Sequence, residues 1–141
     1  LDDKDALVDM YIRGIDFCLE HDYPSNDFIR ENFKGVMEKH GVFLDDAIAL
    51  QDQSKCIALG TTNGKVTATG YSVSEVWAKH DSALNIVAKD NAFVMVDVYD
   101  NAVVNVIASD RAKVCVNHHG GKVIQKATGD AVVKIREKSN K

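Results

Sequence analysis

The chain has 141 residues, is 45% hydrophobic and 27% charged, and carries a formal net charge of −4. That length can bury a real core within one soluble domain. No apolar run reaches the length of a membrane span and no signal peptide is present, so no membrane partner is expected. The chain begins at Leu1, not Met, so an upstream leader or a further domain could have been removed. Cys18, Cys56 and Cys115 lie far apart without metal-like spacing, at apolar-phase or strand positions. They read as buried free thiols, which points to a reducing, cytoplasmic compartment.

The first fifty residues read as helical. From Asp5 to His21, the residues Leu7, Met10, Tyr11, Ile15, Cys18 and Leu19 recur at three- and four-residue steps, the spacing of one helix face. Asp2, Asp3 and Asp5 suit its N-terminus through the helix dipole. The single proline, Pro24, breaks the chain. Ser25 then predicts an N-cap for a second helix, with Phe28, Ile29, Phe33, Val36 and Met37 facing inward and Gly41 closing its C-terminal end. Asp45 to Leu50 predicts one further turn.

From Gln51 to Asp130 the sequence repeats every ten residues. The sixth place holds Cys56, Val66, Val76, Ile86, Val96, Val106, Val116 and then Lys126; the eighth holds Ala58, Ala68, Ala78, Ala88, Val98, Ala108, His118 and Thr128. Alternation with period two is the strand signature, and an even repeat gives every block the same inward parity. Gly, Asp and Asn gather at block boundaries, where turns fall. Alternate blocks carry Asn85, Asn105 and Gln125 in the fifth place, so two blocks make one unit of twenty, with those amides stacked as a ladder.

The reading is an α+β, mainly β chain: a short parallel β-solenoid of about 20 residues per coil, each coil two 10-residue strand-turn blocks, capped by an N-terminal helical segment. The expected division is a helical cap over 1–50 and a solenoid of four coils with a basic tail over 51–141. An antiparallel β-sandwich or roll is the alternative. Sandwich strands, however, have no need of the same residue type at every tenth place. After Gly121 the phase slips, with Val123, Val133 and Ile135 on the parity opposite to Val104 and Val114.

Charge is divided along the chain. Residues 1–50 hold 12 acidic and 5 basic side chains, net −7, whereas 51–141 hold 9 and 12, net +3. Two helices upstream are suited to cover the open first coil, and Lys134, Arg136, Lys138 and Lys141 at the other end discourage end-to-end growth.

Chemistry is sparsely marked. His118-His119-Gly120-Gly121 is the most suggestive run, but adjacent histidines on a strand point to opposite sides, and no neighbouring Cys, Asp or Glu completes a metal set. The tenth-place acids Asp90, Asp100, Asp110 and Asp130 read as Asx turns rather than a calcium array or a glycosidase pair. No catalytic triad, phosphate loop or dinucleotide fingerprint is present, so neither a catalytic residue nor a cofactor is assigned. The basic stretch after Arg111 lacks the aromatic residues of single-strand binding, which argues against nucleic acid.

Outward places are less polar than a solvated sheet requires: Ile57, Trp77, Val87 and Ile107, with Phe93 and Met95 on the same parity. Apolar residues on both sides of a strand mean both sides are covered, by the helices or by another subunit. The first functional reading is a non-enzymatic structural or protein-interaction module, self-assembling or bound to a protein partner through this outer apolar face. The second is a small carbohydrate-binding or polysaccharide-acting domain. Candidate binding residues are Trp77, Phe93, Met95, Tyr99, His118 and His119. A cleft gathering acids with the rings favours the second reading, and a flat apolar face the first.

Overall fold

A computed structural model describes residues 3–138, so Asp2 and Lys141 lie outside the described residues. Strands β1 (Val42–Leu44), β3 (Lys55–Leu59), β5 (Val73–Ala78), β7 (Phe93–Val98), β9 (Lys113–His118) and β11 (Val132–Glu137) form one sheet in that order. Strands β2 (Ala47–Gln51), β4 (Asn63–Ala68), β6 (Ala83–Ala88), β8 (Val103–Ala108) and β10 (Lys122–Ala127) form a second. Consecutive strands alternate between the sheets and every pairing is parallel, which is a solenoid and not the antiparallel alternative.

From β3 to β9 partners lie twenty residues apart, with Val76 opposite Val96 and Ile86 opposite Val106, whereas β1 meets β3 at an offset of 57 − 42 = 15 and β2 meets β4 at 63 − 47 = 16. In β3 to β9 even-numbered residues point between the sheets, so Val66, Ala68, Ile86, Ala88, Val96, Val98, Val106 and Ala108 are all buried in one core, and in β1 it is Phe43 that points inward while Val42 and Leu44 face the helices. The column of alanines lets the two sheets converge on that side. Strand structure begins at Val42, earlier than the repeat does. The segment expected as a helical turn after Asp45 is a corner followed by β2, because Ile48 and Leu50 alternate inward with Ala47 and Ala49 outward, a strand period. The first sheet therefore has six strands and the second five, one coil more than the four expected.

Corners repeat as strictly as strands. His80, Asp90, Asp100 and Asp110 all sit in the left-handed region, at φ 61°, 59°, 55° and 60°. Their side chains reach the preceding coil rather than closing a turn within their own. The Gly70 N–H donates to Asp90 Oδ2 at 2.9 Å, the Asp90 N–H to Asp110 Oδ2 at 3.1 Å, and the Gly60 N–H to His80 Nδ1 at 3.0 Å. Asp90 and Asp110 thus tie coil to coil, and Asp100 does so through Lys79 at 2.9 Å.

The slip at Gly121 has a simple cause. Val123 lies opposite Val104, an offset of 123 − 104 = 19, one residue short of the usual twenty. Inward parity changes from even to odd, and Gly121 turns there at φ 78°, where a Cβ would collide with the Ala102 carbonyl. The amide ladder is shorter than expected as a result. Asn105 Nδ2 donates to Asn85 Oδ1 at 3.4 Å, but Gln125 is displaced to the Val106 register, and Ile124 takes the third rung.

The N-terminal segment forms α1 (Asp3–Arg13), α2 (Ile15–His21), α3 (Asn26–Asn32) and a 3₁₀ turn at Met37–His40. The single helix expected from Asp5 to His21 is split at Gly14, a residue with little intrinsic preference for helix. Ser25 does cap α3, its Oγ accepting from the Phe28 N–H at 3.2 Å. The buried stripe is Val8, Tyr11, Ile15 and Leu19, whereas Leu7 and Met10, expected inside, are exposed.

These elements lie along the flank of the first sheet. Val8, Tyr11, Ile15, Leu19, Ile29, Phe33 and Met37 pack on outward-facing Ile57, Leu59, Trp77 and Tyr99, forming a second core. They also cover the outer edge of β1, where Val42 and Leu44 are fully buried and Lys34 Nζ donates to the Leu44 carbonyl at 2.9 Å.

Two glycines separate steric from conformational cost. Gly64 sits on β4 at φ 145°, where a Cβ would run into the Ile48 carbonyl oxygen, whereas Gly70 is a corner at φ 61° with open space around it. Gly64→Ala is expected to destabilise by about 3 kcal/mol or more. Gly70→Asn should cost less than about 1 kcal/mol, because asparagine tolerates the left-handed region. Urea midpoints at unchanged m-value measure both, and equal losses would refute the assignment.

Candidate functional site

The twenty-residue register places Ile57, Trp77, Asp97 and Asn117 in one outward column of the first sheet. Helix α2 crosses the upper part of that face. Beyond it opens a cleft of about 470 Å³ with Asp16 and Glu20 of α2 on one side. Glu75, Trp77, Met95, Asp97, Tyr99, Asn117 and His119 form the floor, and Lys138 stands at its far end.

Trp77, Met95, Tyr99 and His119 therefore meet in one place, and Phe93 and His118 do not join them. Phe93 opens on a separate shallow depression beside Tyr71, Arg111 and Lys113. His118 ends β9 and His119 follows it directly, and the two side chains point to opposite sides. His119 faces the cleft, and His118 lies on the inward parity opposite Val98.

The cleft does gather acids with aromatic rings, but its rings are committed. Trp77 is only 7% exposed and Tyr99 6%. The Trp77 indole N–H donates to Asp16 Oδ1 at 3.3 Å. The Tyr99 ring stacks on the His119 imidazole at 4.2 Å and 5°, and the Lys79 ammonium sits 5.3 Å from its centre. Asp97 and His119 Nε2 are 2.9 Å apart, and Glu75 pairs with Lys55 at 2.6 Å. Burial first, then the charges of Asp97, Asp16 and Glu20, pushes the Tyr99 phenol above its ordinary value. No ring is left free to stack on a sugar, and three of the four carboxylates already hold a partner. The cleft fastens α2 to the sheet.

Asp97 and Asn117 were legible as neighbours of Trp77, since they share its place at twenty-residue intervals. Asp16 and Glu20 were not, because nothing local fixes which strand a helix crosses.

The outer apolar face expected as one surface is divided. On the first sheet Ile57 and Trp77 lie beneath the chain's own helices. On the second, Val103, Ile107 and Ile124 are exposed and Val87 is half-buried. The larger apolar exposure is on the helical layer. Leu7 is 45% exposed, Met10 65%, Tyr23 66% and Phe28 45%, around a groove of about 260 Å³ whose walls include Tyr11, Cys18, Pro24 and Phe33. Sequence reading placed Leu7, Met10 and Phe28 inside. The signal it missed is width, since the apolar arc exceeds what one sheet contact can bury.

The thiols differ. Cys56 is buried in the solenoid core, and burial pushes it up to about 12. Cys18 and Cys115 are half-buried rather than buried as expected. Among the described residues, no group of three or more His, Cys, Asp or Glu could hold a metal ion, and no helix is long and apolar enough to cross a membrane. No family model, curated protein or solved structure matches the chain.

Two outcomes follow from the geometry. Trp77→Ala removes a ring packed beneath α2, so it should destabilise the fold by about 3–5 kcal/mol, read from urea unfolding. A change below about 0.5 kcal/mol would mean that the side chain lies free.

His118 faces acceptors from both ring nitrogens, Glu137 Oε1 at 2.8 Å and the Gly121 carbonyl at 2.9 Å. Only imidazolium donates to both, so the Gly121 carbonyl first and the Glu137 carboxylate second raise its pKa above the ordinary 6.5. The stabilisation is full below that ordinary value and lost as pH rises through the higher folded one. NMR titration should place His118 above 6.5, with amide exchange in β11, corrected for its intrinsic pH dependence, quickening across that range. A titration at or below 6.5 would contradict the clamp.

Proposed function

We propose that the chain is a non-enzymatic protein-interaction module in which the solenoid is a rigid support for the helical layer that meets the partner. The observation that carries this reading is the exposed apolar groove around Leu7, Met10, Tyr23 and Phe28. Contiguous exposed apolar surface of this kind marks sites where proteins meet. Its surroundings select the partner. Asp9, Asp22 and Asp27 belong to the same helices and turn, and although Arg13 and Arg30 pair with Asp9 and Asp27, residues 1–50 keep a net charge of −7, so two copies would repel at this face. A partner segment that is apolar on one side and basic on the other fits, in the manner of an amphipathic helix in a groove.

The carbohydrate reading would use the cleft under α2, where acids and rings do meet. Sugar binding needs a ring face open to the ligand, and both rings there are covered. The groove is the better supported site.

An amphipathic leucine–lysine peptide is expected to bind and its leucine–glutamate counterpart not to, by titration calorimetry. Met10→Asp and Phe28→Asp should each weaken binding at least about tenfold. Met10 is 65% exposed, so its substitution should leave unfolding free energy within about 0.5 kcal/mol, whereas Phe28, 45% exposed and edge-on to Phe33 at 5.7 Å, should cost about 1–2 kcal/mol without unfolding the chain. Absence of binding, or binding indifferent to both substitutions, would refute the reading.

A further inference from the structure

The two ends of the solenoid differ. At the N-terminal end of the first sheet, β1 is buried beneath the helical segment and Lys34 occupies the Leu44 carbonyl. At the other end β11 pairs only with β9, and its second edge has no strand beside it among the described residues. The Val132 N–H donates to Ala112 and the Lys138 N–H to His118, so even-numbered amides face β9. In a parallel ladder the intervening residues, Val133, Ile135 and Glu137, turn their backbone groups to the free edge.

Their side chains point inward, over the end of the core, where Val133 is half-buried and Ile135 exposed. Lys134 and Arg136 point to the outer face, opposite Cys115 and Asn117. An open ladder, an inner row apolar at Val133 and Ile135 and closed by the His118-bound Glu137, and an outer row basic at Lys134 and Arg136 thus share one strand. We infer that this edge accepts an extended acidic segment of a partner protein as an added strand, apolar at alternate positions and Asp or Glu between them. Main-chain bonds would provide the affinity, and the alternation of side chains the selectivity.

A second copy fits less well. Its own β1 edge is covered, and continuing both sheets would bring a further coil onto Gln125, the inward residue in the middle of β10. Charge selects the acidic segment: β10 to Lys138 carries five basic side chains, Lys122, Lys126, Lys134, Arg136 and Lys138, against Asp130 and Glu137.

The test uses the full chain and two synthetic peptides, one alternating valine with glutamate and one alternating valine with lysine. The glutamate peptide should slow amide exchange at Val133, Ile135 and Glu137 by at least about tenfold, lose affinity as salt is raised, and leave β10 amides unchanged. The paired substitution Lys134→Glu with Arg136→Glu should weaken it at least about tenfold, whereas Lys122→Glu with Lys126→Glu on β10 should not. Unchanged exchange at β11, equal binding of the lysine peptide, or an equal effect of both variant pairs overturns the proposal. So does concentration-dependent self-association that protects the same amides without peptide.

Discussion

From β3 to β9 the molecule depends on the identity of inward parity from coil to coil. A strand in a two-sheet solenoid has no freedom to slide, because a one-residue shift turns its core residues to solvent. The constraint is satisfied by an even repeat, and the corners maintain it. His80, Asp90 and Asp110 each take the left-handed conformation at a corner, and the side chain then accepts a bond from the coil before it. Asp and Asn tolerate that conformation better than most residues, and Asp also supplies the acceptor. The acids along the corners are therefore explained by backbone geometry without chemistry. Their mutual repulsion is reduced by the N–H groups they receive and by water around the corner.

The same register organises the outer face of the first sheet. Its columns pass from Ile57 and Leu59 through Trp77 and Tyr99 to Asn117 and His119. The apolar upper part is where the helices lie; the polar lower part is where they stop. Lys79 shows how finely this boundary is set. It is buried on the sheet and remains tolerable as a charge because Asp100 sits 2.9 Å away and the Tyr99 ring lies beneath it. Placing the helices along the sheet rather than across its end leaves them with a second side, and the groove beside Met10 and Phe28 is on it.

Repetition explains why so much of the fold was legible. Valine at the sixth place and alanine at the eighth state strand, parity and coil length together, and no local reading had to be right alone. Where the repeat is absent, legibility falls. Gly14 divides a helix whose spacing looked continuous, and Ile48 and Leu50 belong to a strand too short to announce its period. Leu7 and Met10 are outside because burial in a helix layer is decided by what the helix meets, which spacing does not contain. The site was half legible for the same reason. Trp77, Met95, Tyr99 and His119 share a face by register, and their acidic neighbours on α2 arrive through tertiary packing. Gln125 failed as a rung because a single residue was lost at the corner before it, and that loss was visible as the altered parity of Val123 and Val133.

That lost residue also changes what the last described coil presents. With parity reversed, the inward places of β10 become Val123, Gln125 and Ala127, and those of β11 become Val133, Ile135 and Glu137. Glu137 is held by His118 from the coil before. A polar amide and a clamped carboxylate now stand where preceding coils present valine and alanine. A further apolar coil laid on this surface would have to desolvate both, so growth of the whole two-sheet stack is opposed by the core and not only by the lysines around it. The opposition is unequal between the sheets. Gln125 sits mid-strand in the second sheet, whereas in the first Glu137 is at the strand's end and Val133 and Ile135 remain apolar. Among the described residues, the face least suited to a further two-sheet coil is thus on β10, and the more apolar edge is on β11.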